Sequence, residues 1–335
     1  MALKKAKITK SILLIILVIT VILTFFISVS LGAYKLSLAG VFKAIFQDTE
    51  GLSRNIIWKI RVPRTLVAAT VGICLSLSGA ILQGVMRNSL ASPNIIGVSS
   101  GAGLAATIAL VLLPQYEYLL TPMAFVGAFL ATLLIYTLAW KDGINPLRMV
   151  LCGIAISSFM SAVINTILIF YPDRVHNTLG FNIGSLSAKT WIHFNMLWPY
   201  ALFGSIVTML MARKLNILML GDEIANSLGI QVERNRMILI MLASLLAASS
   251  VSIVGMLGFV GLIVPHIARL IIGSDYKYLF PASALLGASL MMICDTFARV
   301  IVEPLEIPVG IIMSLLGAPF FLFLLRRGKM GHAKN

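Results

Sequence analysis

Runs of about twenty apolar residues recur along the whole chain, and this pattern constrains the fold more than any other feature. A helix needs about 20 mostly apolar residues to cross a hydrocarbon layer about 30 Å thick. The chain has 335 residues, of which 59% are hydrophobic and 11% charged, whereas about a quarter of a soluble domain is charged. Because one soluble core cannot bury that much apolar surface, the sequence predicts an integral membrane protein.

Ten apolar segments are predicted to be spans, and most breaks between them carry Pro, Gly, Asn or charge. They are residues 11–31, 66–86, 95–113, 123–140, 149–171, 196–212, 237–253, 256–272, 280–300 and 309–325. The first segment is longer than the apolar core of a signal peptide, about 7 to 15 residues, so we interpret it as an uncleaved span. The predicted fold is therefore all-α, with ten transmembrane helices in one bundle and a single transmembrane domain over residues 1–335.

The basic residues predict the orientation of this bundle, because Lys and Arg are retained on the cytoplasmic side. With the amino terminus inside, seventeen of the 26 basic residues lie on inner segments, and six of the other nine crowd the first outer loop. An even number of spans places the carboxyl terminus inside as well. The predicted location is the cell membrane with both termini cytoplasmic, and the net charge of +14 reflects topology more than nucleic-acid binding.

Residues 213–236 form the longest polar segment on the predicted inner side. Asp222 is expected to cap a short helix there, with Ile224, Ala225 and Leu228 on one face. Gly229 supplies the left-handed residue that ends the helix. From the residues alone, a solvated connector and a docking helix for a cytoplasmic partner are equally supported.

Three features inside the spans have structural interpretations. Glycines three apart in the stretch from Gly255 to Gly261 predict close helix packing or partial unwinding. His266 follows them and is interpreted as a hydrogen-bonded structural residue without a catalytic role. Asp295 and Arg299 lie four residues apart and are interpreted as an internal ion pair. The alternative, a proton relay, needs further ionisable groups at membrane depth, and the other spans carry almost none.

Catalytic chemistry has little support in this sequence. Cys74, Cys152 and Cys294 lie far apart inside apolar runs, which favours neither a disulfide framework nor a metal site. No Gly-x-x-x-x-Gly-Lys-Ser/Thr loop occurs, so the chain lacks the usual ATP cradle. No nucleophile stands with a base and an orienting residue. We predict no catalytic residue, bound cofactor or metal, and a membrane enzyme is the weakest functional class.

Several motifs together resemble one family of membrane proteins over nearly the whole chain. They are Arg61-Val62-Pro63-Arg64; Ser78-Gly79-Ala80 with Gln83; 87–93 (Arg-Asn-Ser-Leu-Ala-Ser-Pro); 97–99 (Gly-Val-Ser); 220–230 (Leu-Gly-Asp-Glu-Ile-Ala-Asn-Ser-Leu-Gly-Ile); 258–269 (Gly-Phe-Val-Gly-Leu-Ile-Val-Pro-His-Ile-Ala-Arg); 308–310 (Pro-Val-Gly); and 316–321 (Leu-Gly-Ala-Pro-Phe-Phe). Their order and spacing are similar to those of FecCD-type permeases, the membrane subunits of ATP-binding-cassette (ABC) importers for ferric siderophores, haem and cobalamin.

The resemblance implies a type II ABC importer permease with defined partners. These are a second permease subunit, identical or a sister, two cytoplasmic ATPase subunits that hold ATP and Mg, and an extracytoplasmic substrate-binding protein. It implies that residues 213–236 form a cytoplasmic coupling loop. The implied ATPase-coupling residues are Gly221, Asp222, Glu223, Ile224, Ala225, Ser227, Leu228 and Gly229. The implied docking residues for the binding protein are Arg61, Arg64 and Arg299.

The predicted function is translocation of an iron(III)-siderophore across the cell membrane, driven by ATP that partner subunits hydrolyse. The alternative function is a haem or cobalamin importer permease. The alternative from a different functional class is an ion-coupled secondary transporter. Residues 181–186 (Phe-Asn-Ile-Gly-Ser-Leu) lack the tryptophan that many relatives place just before Gly-Ser. The resemblance therefore does not select among the three cargoes.

Overall fold

Helices account for every regular element in the part of the chain that the computed structural model describes, residues 2–32, 52–141, 143, 146–302 and 305–331. They are α1 (Ala2–Ser30), α2 (Leu52–Ile56, Ile57–Arg61 and Val62–Val85 in continuous succession), α3 (Val98–Thr107 continued by Ile108–Leu112), α4 (Leu120–Ala139), α5 (Pro146–Phe170), α6 (Val175–Ile183), α7 (Trp191–Leu218), α8 (Asp222–Ser227), α9 (Val232–Val254), α10 (Val260–Ile272), α11 (Tyr276–Val300) and α12 (Val309–Gly331).

Among the described residues, seven helices are long and apolar enough to cross a membrane, namely α1, α2, α4, α5, α7, α9 and α11. The apolar parts of α3, α10 and α12 are shorter. The ten predicted spans fall on these ten helices. Helix α10 has 13 residues and is about 20 Å long at 1.5 Å per residue, which is less than a bilayer core. The structure confirms the all-helical fold for the described residues and provides seven helices of spanning length, and the number of ten crossings stays a prediction.

Helix α2 lies at the centre of the bundle, with 83% of its most apolar stretch buried. Its glycines allow neighbouring backbones to approach closely. A Cβ on Gly72 would lie 2.1 Å from the carbonyl oxygen of Gly287 in α11, and one on Gly79 would lie 1.8 Å from that of Gly261 in α10. In lipid the hydrophobic effect does not drive helices together, so the dispersion energy of such close backbone contacts stabilises helix packing. The close packing predicted for the stretch from Gly255 to Gly261 is confirmed at Gly261.

The chain unwinds between α9 and α10, where three glycines allow three backbone segments to meet. The N–H of Met256 donates to the carbonyl of Phe181 at 2.8 Å, and the N–H of Gly310 donates to that of Gly184 at 3.0 Å. Gly255 has a φ of +80° and Gly184 a φ of +84°, where side chains are disfavoured. We call the contact among Gly184, Gly255 and Gly310 the glycine junction. It confirms the predicted unwinding at Gly255 and joins the end of α6 to the start of α12.

Helix α5 is the least buried of the span-length helices. Only 11% of its most apolar stretch is buried, against 83% for α2. Its exposed residues include apolar ones such as Ile154, Phe159 and Ile169, as expected for a lipid or protein contact. The same helix also exposes polar side chains, which in a membrane helix usually mark a functional surface.

Candidate functional site

A polar face on α5 borders a groove of 610 Å³. Ser157, Ser161 and Asn165 recur every four residues and therefore share one side of the helix. The groove is lined by Asn94, Ile95, Gly153, Ile154, Ser157, Ser158, Ser161, Ala162 and Asn165. Ser157 also shares a hydrogen bond of 2.8 Å with Ser100 of α3. We call this surface the polar groove.

The polar groove exists because α5 passes very close to the short turn Pro93–Ile96. A Cβ on Gly153 would lie 1.9 Å from the carbonyl oxygen of Ile95, so only glycine fits there. The nine lining residues offer hydroxyl and amide groups but no charged side chain, imidazole or thiol. Such a surface hydrogen-bonds a polar solute weakly at several points, and it offers no strong ligand for a metal ion.

The polar groove was not among the sites predicted from the sequence, although a signal was present. Within the predicted span 149–171, Ser157, Ser161 and Asn165 lie at helical spacing in a mostly apolar run. Polar residues at this depth usually face a cavity or another helix rather than lipid. What the sequence did not provide is the partner surface, since Asn94 and Ile95 lie more than fifty residues earlier.

The predicted coupling segment forms a short helix, α8, that exposes apolar side chains. Ile224 is 49% exposed and Leu228 is 58% exposed, while Ala225 is fully buried against the bundle. Gly229 ends the helix with a φ of +77°, and the N–H of Ile230 donates to the carbonyl of Ala225 at 3.0 Å. The hydroxyl of Ser227 bonds only within the helix, to the carbonyl of Ile224 at 2.8 Å. The segment thus presents a small apolar knob.

The predicted cap at Asp222 is wrong. Gly221 occupies the capping position with a φ of +119°. Asp222 is the first residue of the helix, and Glu223 also lies in its first turn. The carboxylate of Asp222 instead accepts from Arg236 of α9 at 3.0 Å and pairs with Arg87, which follows α2. Burial alone would raise the pKa of Asp222, but Arg236 and Arg87 outweigh it and lower the pKa below its ordinary value. These ion pairs tie α8 to two central helices.

The three arginines predicted to dock a binding protein lie together at the opposite end of the bundle from α8. Arg64 donates to Asp295 through Nη2 at 2.9 Å and through Nε at 3.1 Å. It also donates through Nη1 to Glu306 at 2.8 Å. Arg299 contacts Asp295 at 3.2 Å, which confirms the predicted ion pair. We call these residues, together with Arg61, the arginine cluster.

All three arginines are buried, although the predicted docking role implied that they face an external partner. Arg61 is 5%, Arg64 6% and Arg299 7% exposed. Arg61 donates to the carbonyls of Val29 and Ser30, both at 2.9 Å, and Arg299 donates to the carbonyl of Ser28 at 3.0 Å. Both thereby satisfy free carbonyls at the carboxyl end of α1, where positive charge is favoured. Reversing their charge would therefore disturb packing as well as any external contact.

His266 and the three cysteines lie outside the polar groove, α8 and the arginine cluster. His266 packs edge-on against Phe320 of α12, with ring centroids 6.0 Å apart. Its buried Nδ1 has no hydrogen-bond partner among the described residues, so the interpretation of His266 as a hydrogen-bonded residue is wrong for this nitrogen. Cys74 and Cys294 are buried and Cys152 is half-buried, and all three are free thiols. Within the described ranges, no group of three or more His, Cys, Asp or Glu could hold a metal ion.

Comparison with known proteins places the chain among transport proteins. The model of the FecCD transport family matches residues 18–327. The chain is 40% identical to the Fe(3+)-citrate import system permease protein YfmE of Bacillus subtilis, covering 94% of this chain and 95% of that protein. It is 40% identical to the cobalamin import system permease protein BtuC of Halobacterium salinarum, over 81% and 73% of the two chains. A solved structure described as an inward-facing conformation of a metal-chelate type ABC transporter is 30% identical, with a TM-score of 0.85 over 94% of this chain.

The family match and the similarity to import-system permeases identify the chain as a membrane transport subunit. The chain belongs to the FecCD transport family. It is accordingly a multi-pass permease.

Proposed function

We propose that this permease imports an iron(III)-siderophore with ATP hydrolysed by partner subunits. The polar groove is the observation that carries this proposal. A bulky chelate needs hydrogen-bonding groups along its route, but it must also leave, so contacts have to be weak and multiple. Hydroxyls and amides meet both needs. Because none of the lining residues is a good ligand for iron(III), the metal stays inside its chelate during passage.

We assign one partner to each end of the bundle and one to its exposed side. On our proposal, α8 faces the cytoplasm with both chain termini and inserts Ile224 and Leu228 into an ATPase subunit, which holds ATP and Mg. A second permease subunit, identical or a sister, covers the polar groove and completes the pathway, since α5 is largely unburied in the single chain. The arginine cluster lies at the outer end and receives acidic side chains of the binding protein.

Uptake by the purified complex in proteoliposomes tests this function. With the binding protein and ATP present, we expect uptake of ferric citrate or a ferric hydroxamate, and none of hemin or cyanocobalamin. Uptake of hemin or cyanocobalamin instead would replace the cargo, which is the alternative that the similarity to a cobalamin permease raises. Uptake driven by a proton gradient without ATP would establish an ion-coupled carrier, and covalent conversion of the solute would establish an enzyme.

Substitutions in the polar groove test the route. Asn165→Leu should reduce uptake because it replaces an amide by a bulky apolar group that cannot hydrogen-bond the cargo. Thr166→Val is the matched control, since the hydroxyl of Thr166 bonds within α5 to the carbonyl of Ala162. Equal uptake by both variants at equal abundance would show that the cargo does not pass the polar groove.

A further inference from the structure

Glu306 covers the arginine cluster from the exposed side. It lies between α11 and α12, and its carboxylate accepts from Nη1 of Arg64 at 2.8 and 3.0 Å and from the hydroxyl of Ser187 at 2.9 Å. The side chain of Glu306 is 41% exposed, whereas those of Arg64 and Asp295 are 7% and 1% exposed. Glu306 is therefore the exposed member of the arginine cluster, whose other members are buried.

Arg64 can exchange its partner at Nη1 without losing its buried ion pair. Asp295 is held by Nε and Nη2, which form one edge of the guanidinium. Nη1 belongs to the other edge, and it donates to the carboxylate of Glu306. A guanidinium presents its donors in a rigid fork that suits one carboxylate on each edge. Any incoming carboxylate that reaches this second edge meets the position that Glu306 already fills.

The charges also favour such an exchange. Arg61, Arg64 and Arg299 bring three positive charges, against two negative charges on Asp295 and Glu306. Removing Glu306 from the cluster raises its net charge from one to two. Burial alone would raise the pKa of Glu306, but Arg64 and Ser187 outweigh it and lower that pKa, so the carboxylate is ionised at neutral pH. An external carboxylate would restore the balance that Glu306 maintains.

We propose that Glu306 is an internal stand-in for a carboxylate of the binding protein, and that docking displaces it from Arg64. The proposal rests on the proposed docking at the arginine cluster, and it explains how buried arginines become available to an external partner. Glu306 is a positioning residue, since it acts through Arg64 and does not touch cargo.

Displacement of Glu306 would also act on the segment between α6 and α7. Glu306 bonds to Ser187, which lies between α6 and α7. The same segment meets the start of α12 at the glycine junction, where Gly310 bonds to Gly184. Helix α6 directly follows α5 in the chain. Release of the bond between Glu306 and Ser187 would therefore remove one attachment of the segment that leads from α6 to α7.

The test compares the affinity of the ligand-free binding protein for the whole transporter in nanodiscs, at low salt, using surface plasmon resonance. Glu306→Gln keeps the size of the side chain and removes the competing charge. Because the charged hydrogen bonds from Arg64 to Glu306 then no longer compete with the incoming carboxylate, we expect affinity to rise at least about tenfold. Glu306→Asp, which retains a carboxylate, should remain near the unmodified protein. Glu117→Gln, an exposed acid on the turn Glu117–Leu119, is the matched control.

Two outcomes separate this proposal from the docking on which it rests. Replacing surface acids of the binding protein by lysine tests docking without disturbing the buried arginines. If those changes abolish binding while Glu306→Gln leaves affinity unchanged or lowers it, the stand-in role is wrong and docking stands. If the lysine variants bind with unchanged affinity at low salt, where such contacts are strongest, docking at the arginine cluster is wrong and the stand-in role falls with it.

Discussion

At the scale of single residues, Asp295 shows how a charge is tolerated inside the bundle. It is fully buried and lies between Arg64 at 2.9 Å and Arg299 at 3.2 Å. Isolated buried charges are costly, whereas a paired and hydrogen-bonded carboxylate is accommodated.

We expect Asp295→Asn to destabilise the protein by about 3 kcal/mol, because two buried guanidiniums lose their shared counter-charge. Chemical unfolding in detergent measures the change in free energy. Asp173→Asn, at an exposed position in the turn Pro172–Arg174, should leave stability unchanged. Equal stability of the two variants would show that the buried ion pair contributes little.

Leu228→Asp should lower ATP-dependent uptake at least about tenfold, because burying an unpaired carboxylate in the ATPase contact costs several kcal/mol. Insertion into the membrane should be normal, since Leu228 is 58% exposed in the bundle. Leu228→Met keeps an apolar side chain and should retain uptake. Normal uptake by Leu228→Asp at equal abundance would remove the docking assignment of α8.

At the scale of helices, short polar or glycine contacts decide which elements move together. Helix α8 is tied to α9 through Arg236, and α6 is tied to α12 through the glycine junction. Neither attachment depends on a long apolar face, so each can be weakened by one change. A change at Gly310 should weaken the glycine junction, and protonation of Asp222 should weaken the attachment of α8.

Gly310→Ala should destabilise the glycine junction and reduce uptake strongly. The new Cβ would lie 1.7 Å from the carbonyl oxygen of Ile183, so α6 and α12 must separate. Gly180→Ala, in α6 itself, adds a methyl group with no atom within 4 Å and should be neutral or stabilising by up to about 1 kcal/mol. Thermal unfolding and uptake are measured together, and unimpaired values for Gly310→Ala would contradict the assigned role of the junction.

The attachment of α8 through Asp222 should depend on pH only in the acid range. The pKa of Asp222 is lowered in the folded protein from 3.8, so its stabilisation is complete above that value and is lost as pH falls through the lower, folded pKa. Amide hydrogen exchange from Asp222 to Leu228, corrected for intrinsic rates, should therefore stay slow at pH 5 and accelerate below about pH 4. Asp222→Asn should exchange fast at both pH values. Loss of protection already at pH 6 would contradict this account.

At the scale of the whole molecule, topology links the two ends of the bundle to opposite sides of the membrane. The region around Lys334 lies outside the described residues, so its cytoplasmic location is a prediction. Lys334→Cys, in a background with Cys152→Ser because Cys152 is only half-buried, should not react with an impermeant thiol reagent in intact cells. Glu117→Cys should react, since it lies on the predicted outer side. Labelling at position 334 would overturn the even number of spans.

Much of the architecture could be predicted because the relevant signals are local. Hydropathy over about twenty residues identifies a membrane helix, and the predicted spans fall on the ten apolar helices. Gly229 was predicted to end α8, and it has the expected left-handed conformation. Asp295 and Arg299, one turn apart on α11, were predicted to pair and do so. Each inference needed only neighbours within one helix turn or one span.

Only the tertiary structure decided which surfaces these helices share. Arg64 meets Asp295 and Glu306 across 231 and 242 residues of sequence, and Asn94 meets the polar face of α5 although it lies more than fifty residues earlier in the chain. Asp222 was expected to cap its own helix but pairs with Arg87 and Arg236 instead. The reason is physical: hydropathy and helix propensity act over a few residues, whereas ion pairs and glycine contacts depend on how helices pack, and packing leaves no periodic signal in the sequence.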